Sequence, residues 1–410
     1  MSINVIGGAY GETCAFPRME VYRGSGGRAA AMLSSLGVSV TFHTQIGPAL
    51  LPFFEGMAME FSYSLHAVKR NEDIWFRYRH PLGQPTIHPV TIPTIGQAEE
   101  IHADYALVFG MIEGRPTVHA NRVVYDPQDG FQAQHFAANG SSANEIALVV
   151  SYSEGKALTG EIEPIAMADK LLTDPKVVAV VIKCGPSGAL VKTKNDQDWV
   201  RAFPTTRVYK IGSGDAFSAA FAFAWLMTGE DAVAAAWFAS RVAAAYVETA
   251  HDRFDNTAIA TFRKDAHDAY QKFGKGHPRG IPDTAIYLAG PFFNTAQQWL
   301  VDEVRDILLD MGFRVFSPIH DVGPGPADVV ARADLYELEQ CGLVLALLDG
   351  MDPGTIFEVG YARARNIPVV IIAESADANA LTMMLGSGCE IAHDLTTGVY
   401  AAIWHVMGDV

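Results

Sequence analysis

Short apolar runs alternate with amphipathic stretches along the whole chain, the rhythm expected of strands and helices laid into α/β layers with largely parallel sheets. The rhythm holds to about Phe273. It then breaks over residues 274–282, which are rich in Gly, Pro and basic side chains and read as a linker. After the break, Ile286-Tyr287-Leu288 reads as a strand ending at Ala289-Gly290-Pro291. Asn294 is a fitting N-cap for a helix that carries Leu300, Val304, Ile307, Leu308 and Met311 on one face. Gly312 stops that helix and Phe313–Phe316 reads as the next strand. A helix from Ala327 to Cys341, an apolar strand Leu343–Leu348 and a tight loop over 349–354 follow. Thr355 then opens a helix to about Arg365, and 368–373 is one more buried strand. The expected division is residues 1–273, a linker at 274–283, and a smaller unit at 284–410. Ligands of an open parallel sheet sit beyond the carboxyl ends of its strands, so the loops bearing Gly290, Asp352 and Glu358 are where chemistry is expected.

A chain of 410 residues is too long for one ordinary core, which agrees with two or three domains. No apolar run approaches the roughly 20 residues that cross a bilayer, and Met1 to Gly8 reads as a first strand, not a secretory signal. Cys14, Cys184, Cys341 and Cys389 are far apart, there is no C-x-x-C pair, and the histidines do not cluster in sequence. That fits a reducing cytoplasm and gives little support to a zinc site. A formal charge of −16 argues against a nucleic-acid polymer as partner. It leaves room for a mononucleotide, since a few N–H donors hold one phosphate.

The second unit places carboxylates where glycosidic chemistry would use them. An oxocarbenium-like centre can be trapped by a carboxylate as a covalent intermediate, while a second acid assists the departing base. Glu358, at the start of a helix, would be kept ionised by the positive end of the dipole. Simpler readings exist for each residue. Thr355-x-x-Glu358 is also a capping box, Asp352-Pro353-Gly354 an ordinary turn, Asp334 a solvated helix charge and Tyr287 a core aromatic. Taken together, Tyr287-Leu-Ala-Gly-Pro, Asp334, Asp352-Pro-Gly-Thr and Phe357-Glu-Val-Gly-Tyr-Ala resemble the nucleoside 2-deoxyribosyltransferase family in order and spacing. The resemblance implies a Rossmann-like parallel-sheet domain with Glu358 as nucleophile. It also implies that Asp352 and Asp334 contact sugar and base, that Tyr287 positions the nucleophile, and that Gly290 lies in the substrate loop. No cofactor is implied there. Related nucleotide N-hydrolases pass the sugar to water instead of a second base.

In the first unit, Gly212-Ser213-Gly214-Asp215 precedes a long apolar helix, where backbone N–H groups can converge on an anion and an aspartate can take a proton from an attacking hydroxyl. The same four residues also make a plain helix N-cap. With Gly26-Gly27, Tyr125-Asp126-Pro127, Glu154 through Gly160, and Ile182–Leu190, the segment resembles the ribokinase-like (PfkB) sugar and nucleoside kinases over residues 1 to 273. That implies a three-layer α/β domain that takes ATP and Mg2+. Asp215 would be the base, Gly212, Ser213 and Gly214 the anion hole, Glu154 an indirect part of the magnesium network, and Glu12 and Gly27 substrate contacts. The sequence departs from the pattern where substrate should bind. Glu12 stands for the usual aspartate, Ala31 and Ser151 for asparagines, and Tyr209-Lys210-Ile211 for Asp-Thr-Thr. Arg23 and Arg28 near the glycine pair would compensate by holding a phosphate, or would be merely solvated. His251 and Asp252 fall where the fold often places a nucleotide base.

Three whole-chain readings follow. The first is an enzyme that cleaves or exchanges the N-glycosidic bond of a small-molecule nucleoside or nucleotide, with a kinase-like domain acting on the sugar or nucleoside. The second is a nucleotide sensor whose inactive kinase-like domain regulates the glycosidase. The third is a binding protein with both sites silent. The resemblance to the transferases also implies a homo-oligomer in which residues 379–389 complete a neighbour's pocket. Neither a membrane nor a nucleic-acid polymer is an expected partner. Hydrolysis or transfer, ribose or deoxyribose, nucleoside or monophosphate, and the base all stay open at this point.

Overall fold

The computed structural model describes residues 2–93, 99–129, 132–276 and 279–408. Residues 277 and 278 of the expected linker, and Met1, lie outside them. The chain forms two compact units, one of Met1–Thr205 with Tyr209–Arg279 and one of Thr206–Val208 with Gly280–Val410.

The first unit is built on a nine-stranded sheet. Its spatial order is Gln197–Val200, Ala189–Thr193, Val177–Lys183, Ser142–Ser151, Thr117–Asp126, Glu100–Phe109, Ser2–Ile6, Ser39–Ile46 and Ser64–Lys69. All neighbours are parallel except the first three strands, which pair antiparallel in sequence. One face buries Ile3, Val5, Phe42 and Val124 with the alanine-rich helices Gly24–Ser35, Ser213–Ala222 and Ala232–Thr249. Ile6, Val108, Val150 and Ile182 form a second cluster with Met167 and Leu171 of the helix Pro164–Leu171. Helices therefore cover both faces, the three-layer arrangement. A small sheet of Met19–Tyr22, Gly11–Cys14, Trp75–Tyr78 and Thr86–His88 stands beside it and carries Glu12.

Parallel register brings together residues that are remote in sequence. His43 and His66, 23 positions apart, are direct partners on neighbouring strands, so the histidines do cluster in space.

The second unit is an all-parallel sheet in the order Arg314–Phe316, Ala285–Ala289, Leu343–Leu347, Val369–Ile372 and Glu390–Ala392. The three central strands are apolar because both faces are covered. Asn294 caps the helix Thr295–Asp310, accepting from the N–H groups of Ala296 and Gln297, and that helix buries Val301, Val304 and Leu308. The helix expected to open at Thr355 begins two residues earlier, at Pro353. Pro is well suited to the first turn, where no N–H is required, and Asp352 is the N-cap, taking Thr355 N–H at 2.8 Å and Thr355 Oγ1 at 3.0 Å. Glu358 thus lies in the second turn and closes no capping box. A fifth strand and a buried final helix, Leu395–Val406, complete the unit. That helix comes so close to the sheet that a Cβ on Gly398 would sit 2.3 Å from Ile372.

Candidate functional site

In the second unit the strand Ala285–Ala289 and the helix Pro353–Ala364 deliver two side chains to one point. Tyr287, fully buried, donates its hydroxyl proton to Glu358 Oε1 at 2.7 Å. Asp334, on the helix Ala327–Gln340, and Asp352 both act on Glu358 as like charges. The four residues expected from sequence therefore converge. Burial pushes the Glu358 carboxyl up to about 7; the Tyr287 hydrogen bond pulls it down, while Asp334 and Asp352 push it further up. Burial thus opposes the expected effect of the dipole, which favours the ionised form. The side chain lies beyond the first turn, where the dipole fades, and desolvation dominates.

Burial also raises Asp334, whose Oδ1 is buried without a hydrogen-bond partner. A buried acceptor of this kind is unusual in a folded protein and suits a ligand hydroxyl or N–H. Asp352 spends Oδ2 on its helix cap. Burial and then Glu358 lift the Tyr287 phenol far above its ordinary value, so it acts only as a donor. Gly290 ends the strand, packed so that a Cβ would lie 3.1 Å from Leu347. A cavity of about 180 Å³ opens beside it, lined by Pro291, Gln297, Leu300, Asp349 and Glu374; none of the four clustered residues lines that cavity.

The first unit gathers a different network. Glu12 and Asp215 face each other across the Arg28 guanidinium, which donates Nη2–H to Glu12 Oε2 and Nη1–H to Asp215 Oδ2, each at 2.5 Å. Arg28 Nε–H reaches Tyr246 Oη at 2.8 Å. The remaining oxygens are also taken, Glu12 Oε1 by Gly24 N–H at 3.0 Å and Asp215 Oδ1 by Gln128 Nε2 at 3.0 Å. Arg28 is 1% exposed, so it is neither solvated nor reaching for a phosphate. Arg23 likewise pairs with Asp252 at 2.5 Å, and Asp252 is buried while His251 is exposed. Gly212 must be glycine for two reasons. Its φ is +78°, and a Cβ would lie 2.2 Å from Arg28 Cζ.

Burial raises Asp215 to about 6 even though Arg28 pulls the other way. Sequence reasoning gave no role to Asp126, Lys183, Lys210 or Gln128. Asp126 is fully buried and accepts from Lys183 Nζ at 2.8 Å and Ser218 Oγ at 2.7 Å. Burial works against the Lys183 charge, but Asp126 and Glu154 outweigh it. Lys210 Nζ donates to Ser213 Oγ at 2.7 Å, and burial lowers its pKa to about 8. Lysine where the kinase pattern has threonine was the available signal. Glu154 closes a capping box with Ser151, taking its N–H on Oε2 at 2.6 Å. Gly27 faces Phe54, 2.6 Å from where a Cβ would be, and so serves helix packing.

The fit to ATP and Mg2+ is divided. Lys183 and Lys210 beside Ser213 and Gly214 suit a phosphate: a Cβ on Gly214 would lie 3.5 Å from Lys183 Nζ. The acceptor side does not fit, because Arg28 fills the space between Glu12 and Asp215 and Glu154 is engaged in its cap.

Residues 286–393 match the family model of nucleoside 2-deoxyribosyltransferase, and residues 140–258 match that of the pfkB family carbohydrate kinases. A kinase-like and a transferase-like domain share this chain. Among solved structures, Escherichia coli phosphofructokinase-2 in complex with substrates and products is 14% identical, with a TM-score of 0.50, covering 65% of this chain and 100% of that one. An Escherichia coli protein described as ribokinase II, in its apo form, is 15% identical, with a TM-score of 0.51 and the same coverage. The first unit therefore has the ribokinase-like fold. No curated protein matches the chain. Both domains belong to enzyme families, and no helix among the described residues is long and apolar enough to cross a membrane.

Proposed function

We propose that the transferase-like unit breaks the N-glycosidic bond of a nucleoside or nucleotide through a covalent glycosyl–Glu358 intermediate. The observation that carries this reading is the Tyr287–Glu358 hydrogen bond at 2.7 Å, set among Asp334 and Asp352 in a partly desolvated site. Glu358 Oε attacks C1′ of the sugar as the C1′–N bond breaks. The bond pair leaves with the base nitrogen, which takes up a proton from an acid beside it, with Asp334 and Asp352 as the neighbouring acids. Water or a second base then gives a proton back to that acid and attacks C1′, and the C1′–Oε bond breaks to free the Glu358 carboxylate. Tyr287 aims the carboxylate and stabilises its charge before the attack. Asp334, with its unpartnered oxygen, takes a substrate hydroxyl or base N–H. We also place residues 379–389 of a neighbouring copy over this site in a homo-oligomer. The exposure of Met383 (79%) and Leu385 (55%) supports that placement. The test is mass spectrometry of products from mixed nucleosides and nucleotides, with intact-mass detection of the glycosyl-enzyme. Base release that persists in Glu358→Ala sinks the assignment.

A second reading concerns the kinase-like unit, and the Arg28 bridge favours it. With both oxygens of Asp215 and of Glu12 engaged, this unit binds a nucleotide or phosphate without transferring it, and regulates the transferase-like unit. Calorimetry with ATP, nucleosides and sugars should then show binding without ADP formation. Rapid ADP formation on any of these acceptors excludes the reading.

A further inference from the structure

Four side chains meet on one face of the nine-stranded sheet, none of them part of the Arg28 network. His43 and His66 are register partners on parallel strands, with ring centroids 5.2 Å apart. Glu99 stands just before the strand Glu100–Phe109 and brings Oε1 to 3.5 Å from His43 Nδ1 and 3.9 Å from His66 Nδ1. One ligand atom from each of the three lies within 4.8 Å of the others. Asn4, on the intervening strand Ser2–Ile6, accepts from His43 Nε2 at 2.9 Å.

That last bond decides the tautomer. An amide oxygen only accepts, so His43 Nε2 carries a proton, and in the neutral ring Nδ1 presents a lone pair. His43 Nδ1 is buried and has no hydrogen-bond partner. An oriented histidine with a backing hydrogen bond is how proteins prepare a metal ligand.

We propose that His43 Nδ1, His66 Nδ1 and Glu99 Oε1 bind one divalent cation of the zinc class, with Asn4 orienting His43. Zinc bonds of about 2.0–2.2 Å in a tetrahedron put ligand atoms roughly 3.4 Å apart. The 3.5 and 3.9 Å separations from Glu99 need only a few tenths of an ångström of contraction, and all three ligand atoms already lie within 4.8 Å of one another. Two imidazole nitrogens and one carboxylate select zinc, cobalt, nickel or copper over magnesium and calcium, which take oxygen. Three protein ligands leave the fourth position to water. The ion ties the edge strand Ser64–Lys69 to Ser39–Ile46 and to the start of Glu100–Phe109, and so stabilises the exposed margin of the sheet.

The test uses the full chain, stripped with a chelator and titrated with ZnCl2 by calorimetry and with Co2+ by visible absorption. One ion per chain is expected, with a ligand-field spectrum for Co2+ that zinc abolishes and magnesium leaves intact. His66→Ala and Glu99→Gln should each lose that saturable binding. His66 is 68% exposed in its side chain, so its removal leaves the fold in place. Asn4→Ala should weaken binding by about 10–100-fold. His102→Ala, at a histidine outside the cluster and 72% exposed, should bind as the unaltered chain does. Zinc should raise the melting temperature of the unaltered chain and not that of His66→Ala. Absence of saturable zinc binding in the unaltered chain overturns the proposal. So does equal binding in His66→Ala and Glu99→Gln, which would place the ion elsewhere or make the cluster a proton-sharing histidine pair.

Discussion

Replacing Glu358 by Gln should destroy base release and, above neutral pH, make the transferase-like unit more stable. Burial, resisted by Tyr287 and aided by Asp334 and Asp352, lifts the carboxyl from its ordinary 4.5 to about 7. The folded protein therefore holds this proton more tightly than the unfolded chain does. The stability so gained is complete below pH 4.5 and disappears as pH rises through 7, so the ionised side chain burdens the fold at higher pH. At 1.36 kcal/mol per pH unit the burden is about 3 kcal/mol. Gln is isosteric, uncharged and still accepts from Tyr287, but its amide N–H groups need partners. The expected gain at pH 8 is thus about 1–3 kcal/mol, with little difference at pH 5, where the wild-type carboxyl is already neutral. Denaturant unfolding at the two pH values, alongside nucleoside base release followed by chromatography, measures both halves. A gain over the unaltered chain that is the same at both pH values would falsify the claim that Glu358 is held in a desolvating, like-charged site. A variant that still releases base removes it as nucleophile.

Three further outcomes follow from the same geometry. Tyr287→Phe deletes the donor that lowers Glu358, so the rise of kcat/KM with pH should move alkaline by about 1 pH unit; an unmoved profile means the hydroxyl does not reach the reactive carboxylate. Asp334→Ala removes a like charge and the unpartnered oxygen, so the profile should move to lower pH while kcat/KM falls roughly 10- to 100-fold. A shift in the same direction as Tyr287→Phe refutes the assigned electrostatics. Arg28→Ala should cost the kinase-like unit about 3–5 kcal/mol by leaving Glu12 and Asp215 buried without their cation. The loss should be larger at pH 8 than at pH 5, because protonation relieves unpaired carboxylates; a loss under 1 kcal/mol in chemical denaturation contradicts the bridge.

Periodicity and punctuation made the α/β layering legible, because each apolar run that reads as a buried strand can be nothing else at that length. The strand Leu343–Leu347 and the Asn294 cap are examples. The start of the Glu358 helix was misplaced by two residues because Thr355 looks like a cap, whereas Asp352 supplies the cap and Pro353 the first turn. The raised pKa of Glu358 was hidden for a deeper reason. Helix position is visible in sequence, but depth of burial is a tertiary quantity, and here it outweighs the dipole. Arg28 shows the same limit. Beside a glycine pair it reads as a surface charge, and only the meeting of a small-sheet strand, one helix and the Gly212 turn buries it between two acids. The His43–His66 pair depends on strand register, which no local pattern encodes.

The two units handle buried acids in opposite ways, and the contrast bears on where activity resides. In the kinase-like unit every oxygen of Glu12 and Asp215 has a donor, and one arginine satisfies both acids. A satisfied network of that kind rigidifies its surroundings and leaves no group for a substrate hydroxyl to displace cheaply. In the transferase-like unit Glu358 has one neutral donor, two acidic neighbours and no compensating cation among the described residues, and Asp334 keeps a buried oxygen unpartnered. That arrangement costs stability and gains nothing for the fold alone. It persists most reasonably where the missing partner is a ligand whose developing positive charge at C1′ the acids are placed to meet.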